Sequence, residues 1–136
     1  MHFSIVESTL RRLYEELKVK GVEGVTKEAK SIVGGRLERA IVAVREMRVK
    51  KYVFASGRVV WVVVGDRQDY FLVPFAYCSC YDFYTNVMVR GTTVSCYHLL
   101  ALTIALATGE YEEVKVDSGE EEKRILRELT QQRELI

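Results

Sequence analysis

All three cysteines of this 136-residue chain, and the only histidine away from its N-terminus, lie between Tyr77 and Leu106. The order is Cys78-Ser79-Cys80, then fifteen residues, then Cys96-Tyr97-His98 and a run of Leu, Ala and Ile. Three sulfurs and one imidazole are the four ligands of a tetrahedral structural zinc. In an extended segment alternate side chains leave the same face, so Cys78 and Cys80 can reach one ion from a tight turn. Cys96 and His98 stand where polar sequence gives way to apolar sequence, and a helix starting there presents both from its first turn. A fold built on this chain must therefore bring a strand end and a helix start to one point.

Three other readings compete with zinc. Free cysteines are often plain buried thiols, but that leaves the spacing without a reason. A disulfide strands an odd third cysteine, and no signal peptide opens the chain. A catalytic Cys96–His98 pair leaves Cys78 and Cys80 unused, with no Asn, Asp or Glu evidently placed to orient the imidazole. Zinc bound by Cys78, Cys80, Cys96 and His98 accounts for all four residues.

The pattern C-x-C, spacer, C-x-H followed by Leu99-Leu100-Ala101 resembles the SWIM zinc finger, a β–β–α unit around one zinc. Flanking features extend the likeness over roughly Arg36 to Ile125: Ser56-Gly57-Arg58, a Val-rich strand, and the aromatic Phe83 between the ligand pairs. It is most similar to the small SWIM-domain subunit of Shu-type complexes. That resemblance implies a non-enzymatic subunit in homologous recombination and DNA repair, paired with a paralogue of the RecA-family recombinase and acting on single-stranded DNA.

Periodicity supplies the frame. Val6, Leu10, Leu13, Tyr14 and Leu17 predict a helix over Ser4–Val19, with Ser4 and Glu7 as a capping box and Gly21 and Gly24 ending it. Thr26 is read as capping a short helix to Val33, which Gly34-Gly35 stops. A third helix is expected over Arg36–Met47. Strands are expected over Val49–Ala55, Val59–Val64 and Asp69–Tyr77, with Pro74 marking an edge or a bulge. The nearly continuous Val59–Val64 run suits a strand covered on both faces. Tyr81–Ser95 reads as an unusually apolar loop, Cys96–Thr108 as a helix apolar nearly all round and hence buried, and Glu110–Val116 as short and extended. Ser118 with Glu121 opens a last helix to about Glu134.

The expected fold is thus α+β: N-terminal helices, a three-stranded antiparallel meander leading into a zinc-stapled β–β–α finger, and a C-terminal helix. One domain is expected over 1–136. It comprises a helical N-terminal region over 1–48, a meander and finger over 49–109, and a helical tail over 110–136 able to dock on a partner or on another copy of the chain. The longest apolar run is too short to span a bilayer, so no membrane role and an intracellular location are expected, cytoplasmic or, in a eukaryotic cell, nuclear.

The net charge of +1 is unevenly spread. Met1–Val60 holds thirteen Lys and Arg against seven Asp and Glu, whereas Trp61–Ile136 holds seven against twelve. Arg36, Arg39, Arg45, Arg48, Lys50 and Lys51 crowd sixteen residues of the basic half. They are candidates for holding phosphates of single-stranded DNA, alongside the plainer reading of a solvated face or of pairing with the acidic Glu110–Glu122 segment. Phe83 and Val87 in the apolar spacer are candidates for a partner surface. A zinc with four protein ligands has no open position to activate water, so no catalytic residue is expected.

Overall fold

The computed structural model describes residues 2–131, with side chains from Ile5 onward. The N-terminal apolar stripe forms α1 (His2–Val33), which buries Val6, Leu10, Leu13, Leu17, Val25, Ala29 and Val33. Gly21 divides it into two helical stretches, as the sequence implies. Gly21, at φ 74° and ψ 174°, breaks the helical geometry, and the second stretch returns beside the first, so that Thr9, Leu13 and Glu16 line one surface cavity with Glu28, Ala29 and Ile32. Thr26 does not cap a new helix; its hydroxyl donates to the Val22 carbonyl at 2.8 Å, one turn back. The side chain of Ser4, expected as a cap, lies outside the described residues, as does the expected helix end at Glu134.

Gly34 in the left-handed region and Gly35 turn the chain into α2 (Arg36–Arg45), which buries Leu37, Ala40, Ala43 and Val44. Next come β1 (Val49–Phe54), β2 (Val59–Val64) and β3 (Asp69–Val73), an antiparallel meander. The expected third strand is cut at Pro74. Val73-Pro74-Phe75-Ala76 is a turn closed by Ala76 N–H donating to Val73 O at 3.0 Å, with Phe75 at φ 66°. Proline at the second position and positive φ at the third describe a type II turn. It returns the chain as β4 (Tyr77–Cys78), paired with β3 through Leu72↔Cys78.

The apolar spacer is not a loop. Phe83–Val89 is a π-helical segment whose Phe83 and Val87 point into the core. Then come α3 (Tyr97–Thr108), β5 (Glu112–Val116) and α4 (Gly119–Gln131). Gly109, at φ 76°, closes α3 in the left-handed conformation that its missing Cβ permits. Ser118 caps α4 by accepting the Glu121 N–H at 3.2 Å.

β5 enlarges the expected meander. It runs parallel to β1, so the sheet has five strands in the order β4-β3-β2-β1-β5. The registers put Val49, Val63 and Tyr70 on one face and Tyr52, Val62 and Phe71 on the other. α3 lies on the first face and also packs on α1 and α2, while α4 touches β3 on the second. Hence every residue of α3 from Tyr97 to Ala105 is buried. The fold is α+β, as the sequence implies.

Candidate metal centre

β4 ends with Cys78, and Cys80 follows at the start of the turn into the π-helical segment. Cys96 is the N-cap of α3, and His98 lies in its first turn. The four ligand atoms lie within 4.8 Å of one another, and all four residues are buried. None of the cysteines is in a disulfide. This cluster can hold one metal ion.

Backbone geometry repeats at the two helical ends. Phe83 N–H donates to Cys80 Sγ at 3.3 Å, and Leu99 N–H donates to Cys96 Sγ at 3.4 Å, both from three residues ahead. Each sulfur thus takes the place of an N-cap oxygen, and a hydrogen bond from N–H favours its anionic form. Burial pushes the Cys78 and Cys96 thiols up, whereas hydrogen bonds from Cys78 and Cys96 hold Cys80 far below the ordinary thiol range. One thiolate is therefore stabilised within the cluster, and a bound cation releases the remaining protons.

The imidazole is the sharpest sign of a missing partner. His98 Nδ1 is the one buried side-chain nitrogen or oxygen among the described residues with no hydrogen-bond partner. Its ring is held by Tyr97 at 3.9 Å and Tyr70 at 4.3 Å between centroids. A buried polar atom without a partner costs about 1–3 kcal/mol, and a cation among these four atoms removes that cost. The residues fit a metal.

Neighbours position the site from far along the chain. Arg36, at the start of α2, makes a two-pronged ion pair with Asp82, with both bonds at 2.9 Å. Asp82 also accepts from Asn86 Nδ2 at 2.6 Å. This clamp ties α2 to the segment just after Cys80. Asp82 and Tyr70 carry no signal in the sequence, because Arg36 and His98, which they meet, stand far from them along the chain.

The basic stretch is mostly occupied within the molecule. Arg48 meets Glu46 at 2.8 Å and Asp66 at 3.3 Å. Lys50 meets Glu112 at 2.6 Å and Lys51 meets Glu113 at 3.8 Å, one rung after another across the parallel β1–β5 pair. Arg39 lies over the Tyr97 ring at 4.2 Å. Arg45 has no ion-pair partner among the described residues. The six cations therefore do not form one free phosphate-binding face.

Phe83 and Val87 are corrected more sharply. At 0% and 1% exposure they belong to the core, as expected for the two inward positions of one helical turn, and offer no surface to a partner. The exposed apolar residues of that region are Tyr81, Tyr84 and Val89. Among the described residues no helix is long and apolar enough to cross a membrane.

Compared with known proteins, the chain matches no protein-family model, no curated protein and no solved structure.

Proposed function

We propose that this protein is a zinc-stapled, non-enzymatic interaction subunit of homologous recombination and DNA repair, pairing with a paralogue of the RecA-family recombinase. The observation that carries the staple is the closed set of four buried ligands, Cys78, Cys80, Cys96 and His98, at the junction of β4 and α3. Zn–S bonds of about 2.3 Å at tetrahedral angles place sulfurs about 3.8 Å apart, within the spread of the cluster. Thiolate-rich sets select zinc over the hard cations, which prefer oxygen. With four protein ligands no position is left for water, so the ion holds structure rather than performing hydrolysis.

The choice of partner rests on the resemblance of the C-x-C…C-x-H-Leu-Leu-Ala pattern to the SWIM finger. The β3–β4–α3 arrangement around the ligands is compatible with the β–β–α finger of that family. A stand-alone nucleic-acid binder using the Arg36–Lys51 stretch has less support, since Arg36, Arg48, Lys50 and Lys51 already meet carboxylates.

Affinity capture of the zinc-loaded chain from its native cell tests the reading. Recovery of a RecA-like ATPase that rebinds when purified supports it. Its absence, with tight salt-sensitive binding of single strands by the chain alone, supports the second reading instead.

A further inference from the structure

Beside the metal centre lies a cleft of about 940 Å³, floored by Cys80 and His98 and walled by Tyr70 and Tyr97. Its size is within the roughly 300–1,000 Å³ of ligand sites. Three arginines reach it from two elements: Arg36 and Arg39 from α2, and Arg67 from the β2–β3 turn. Two carboxylates also line it, but Asp82 is engaged by Arg36 and Asp66 by Arg48. Arg39 and Arg67 have no carboxylate partner among the described residues. Stacking of Arg39 on Tyr97 fixes its guanidinium without using up its donors.

The start of α2 opens onto the same space. Its N-cap, Gly35, supplies no side-chain acceptor, and a Cβ there would meet nothing within 4 Å. The partial positive charge of that helix end adds to the two free guanidinium groups. Glu38 of the first turn is drawn away into an ion pair with Lys30 at 2.6 Å.

We propose that this cleft is an anion site that seats a backbone phosphate of single-stranded nucleic acid, between Arg39, Arg67 and the N-terminus of α2. It rests on the reading of the protein as a recombination subunit and names the contact that the subunit makes with the strand. Tyr70 and Tyr97 form the adjoining wall. Arg67 is absent from the basic stretch that the sequence singles out, and the site needs neither Lys50 nor Lys51.

Fluorescence anisotropy of the zinc-loaded full chain with a labelled oligothymidylate of about twelve nucleotides tests the proposal. The wild type is compared with Arg39→Gln/Arg67→Gln and with Gly35→Asp, from about 50 to about 200 mM salt. Asp at position 35 fits without a clash and puts a carboxylate at the helix start, where the helix end's partial charge favours it and where it occupies the anion position, so it separates fold from binding. The expected result is a loss of about tenfold or more in affinity for each variant. The salt slope of the double variant should fall by about 1.4. Zinc content and thermal midpoint should hold, and competition by thymidine monophosphate should exceed that by inorganic phosphate.

Three results each overturn the proposal. One is unchanged strand affinity in Gly35→Asp and the double variant. The second is loss of zinc in the double variant at unchanged strand affinity, which makes the arginines counter-charges to the thiolates. The third is stronger competition by an oligoglutamate peptide than by thymidine monophosphate. Capture of the recombinase by these variants is measured in parallel. A cleft that fails while capture persists leaves the subunit reading standing, and a cleft that binds without capture removes only that reading.

Discussion

Replacing Cys96 by Ser isolates what the metal contributes. Serine keeps an acceptor for the Leu99 N–H and so preserves the cap of α3, but it removes a thiolate ligand. Two contributions can be worked from the structure. The ion closes the fifteen-residue segment between Cys80 and Cys96, and cross-linking a loop of that length is worth about 3 kcal/mol in chain entropy. Removing the ion also leaves His98 Nδ1 buried without a partner, at about 1–3 kcal/mol. Together these give about 4–6 kcal/mol, a large share of the roughly 5–15 kcal/mol that holds a domain folded. For a chain of this size the thermal midpoint should fall by about 15–25 °C. Calorimetry of wild type, Cys96→Ser and chelator-treated wild type, with metal analysis of each, measures it. Wild type should carry one zinc, and the other two samples should melt alike. A midpoint unmoved by complete zinc removal, or a Cys96→Ser variant as stable as wild type, would refute the reasoning.

Arg36→Ala should destabilise by about 1 kcal/mol, the two bonds to Asp82 being discounted because both side chains are about one-third exposed. The Arg36 hydrogen bond holds the Asp82 carboxyl below its usual range. Its stabilisation is therefore present above about pH 4 and lost as pH falls through the lowered value, so urea midpoints of variant and wild type should converge in acid. Leu100→Ala empties a fully buried position of α3 and should lose about 2–5 kcal/mol in urea unfolding. A smaller loss would mean that the surrounding helices close the cavity. Gly65→Ala drives a methyl to 2.6 Å from the Gln68 carbonyl and 2.7 Å from the Tyr70 ring, and should lose about 1–3 kcal/mol; an unchanged midpoint would show that the β2–β3 turn yields freely.

What can be read from the chain depends on how locally each feature is encoded. The four ligands are legible because two short pairs carry the whole donor set, and α3 because its apolar run is continuous. β5 shows only as a short extended stretch. Glu112-Glu113-Val114-Lys115-Val116 has two apolar residues, and its role is fixed by pairing with a strand some 62 residues earlier. That pairing also explains Lys50 and Lys51, whose neutralising glutamates lie across it. Phe83 and Val87 mislead because an apolar spacer reads as a loop, whereas four-residue spacing in a helical turn sends both inward. The cleft has no signature in sequence at all, being assembled from Gly35, Arg67 and Cys80, far apart in the chain.

The all-round burial of α3 bears on how the chain acquires its fold during synthesis. Residues from Tyr97 to Ala105 fill the space that α1, α2 and the sheet leave between them. A ribosome delivers α1, α2 and strands β1 to β4 first, and their inward faces then have nothing to close upon. Until α3 has emerged, Leu10, Leu37, Val49 and Val63 remain an open apolar lining. The nascent chain should thus stay loose and sticky for most of its translation, then condense within a short window as the helix and its two metal ligands leave the exit tunnel. Zinc arriving in that window acts as a latch on a vectorial process, fastening α3 to strands completed earlier.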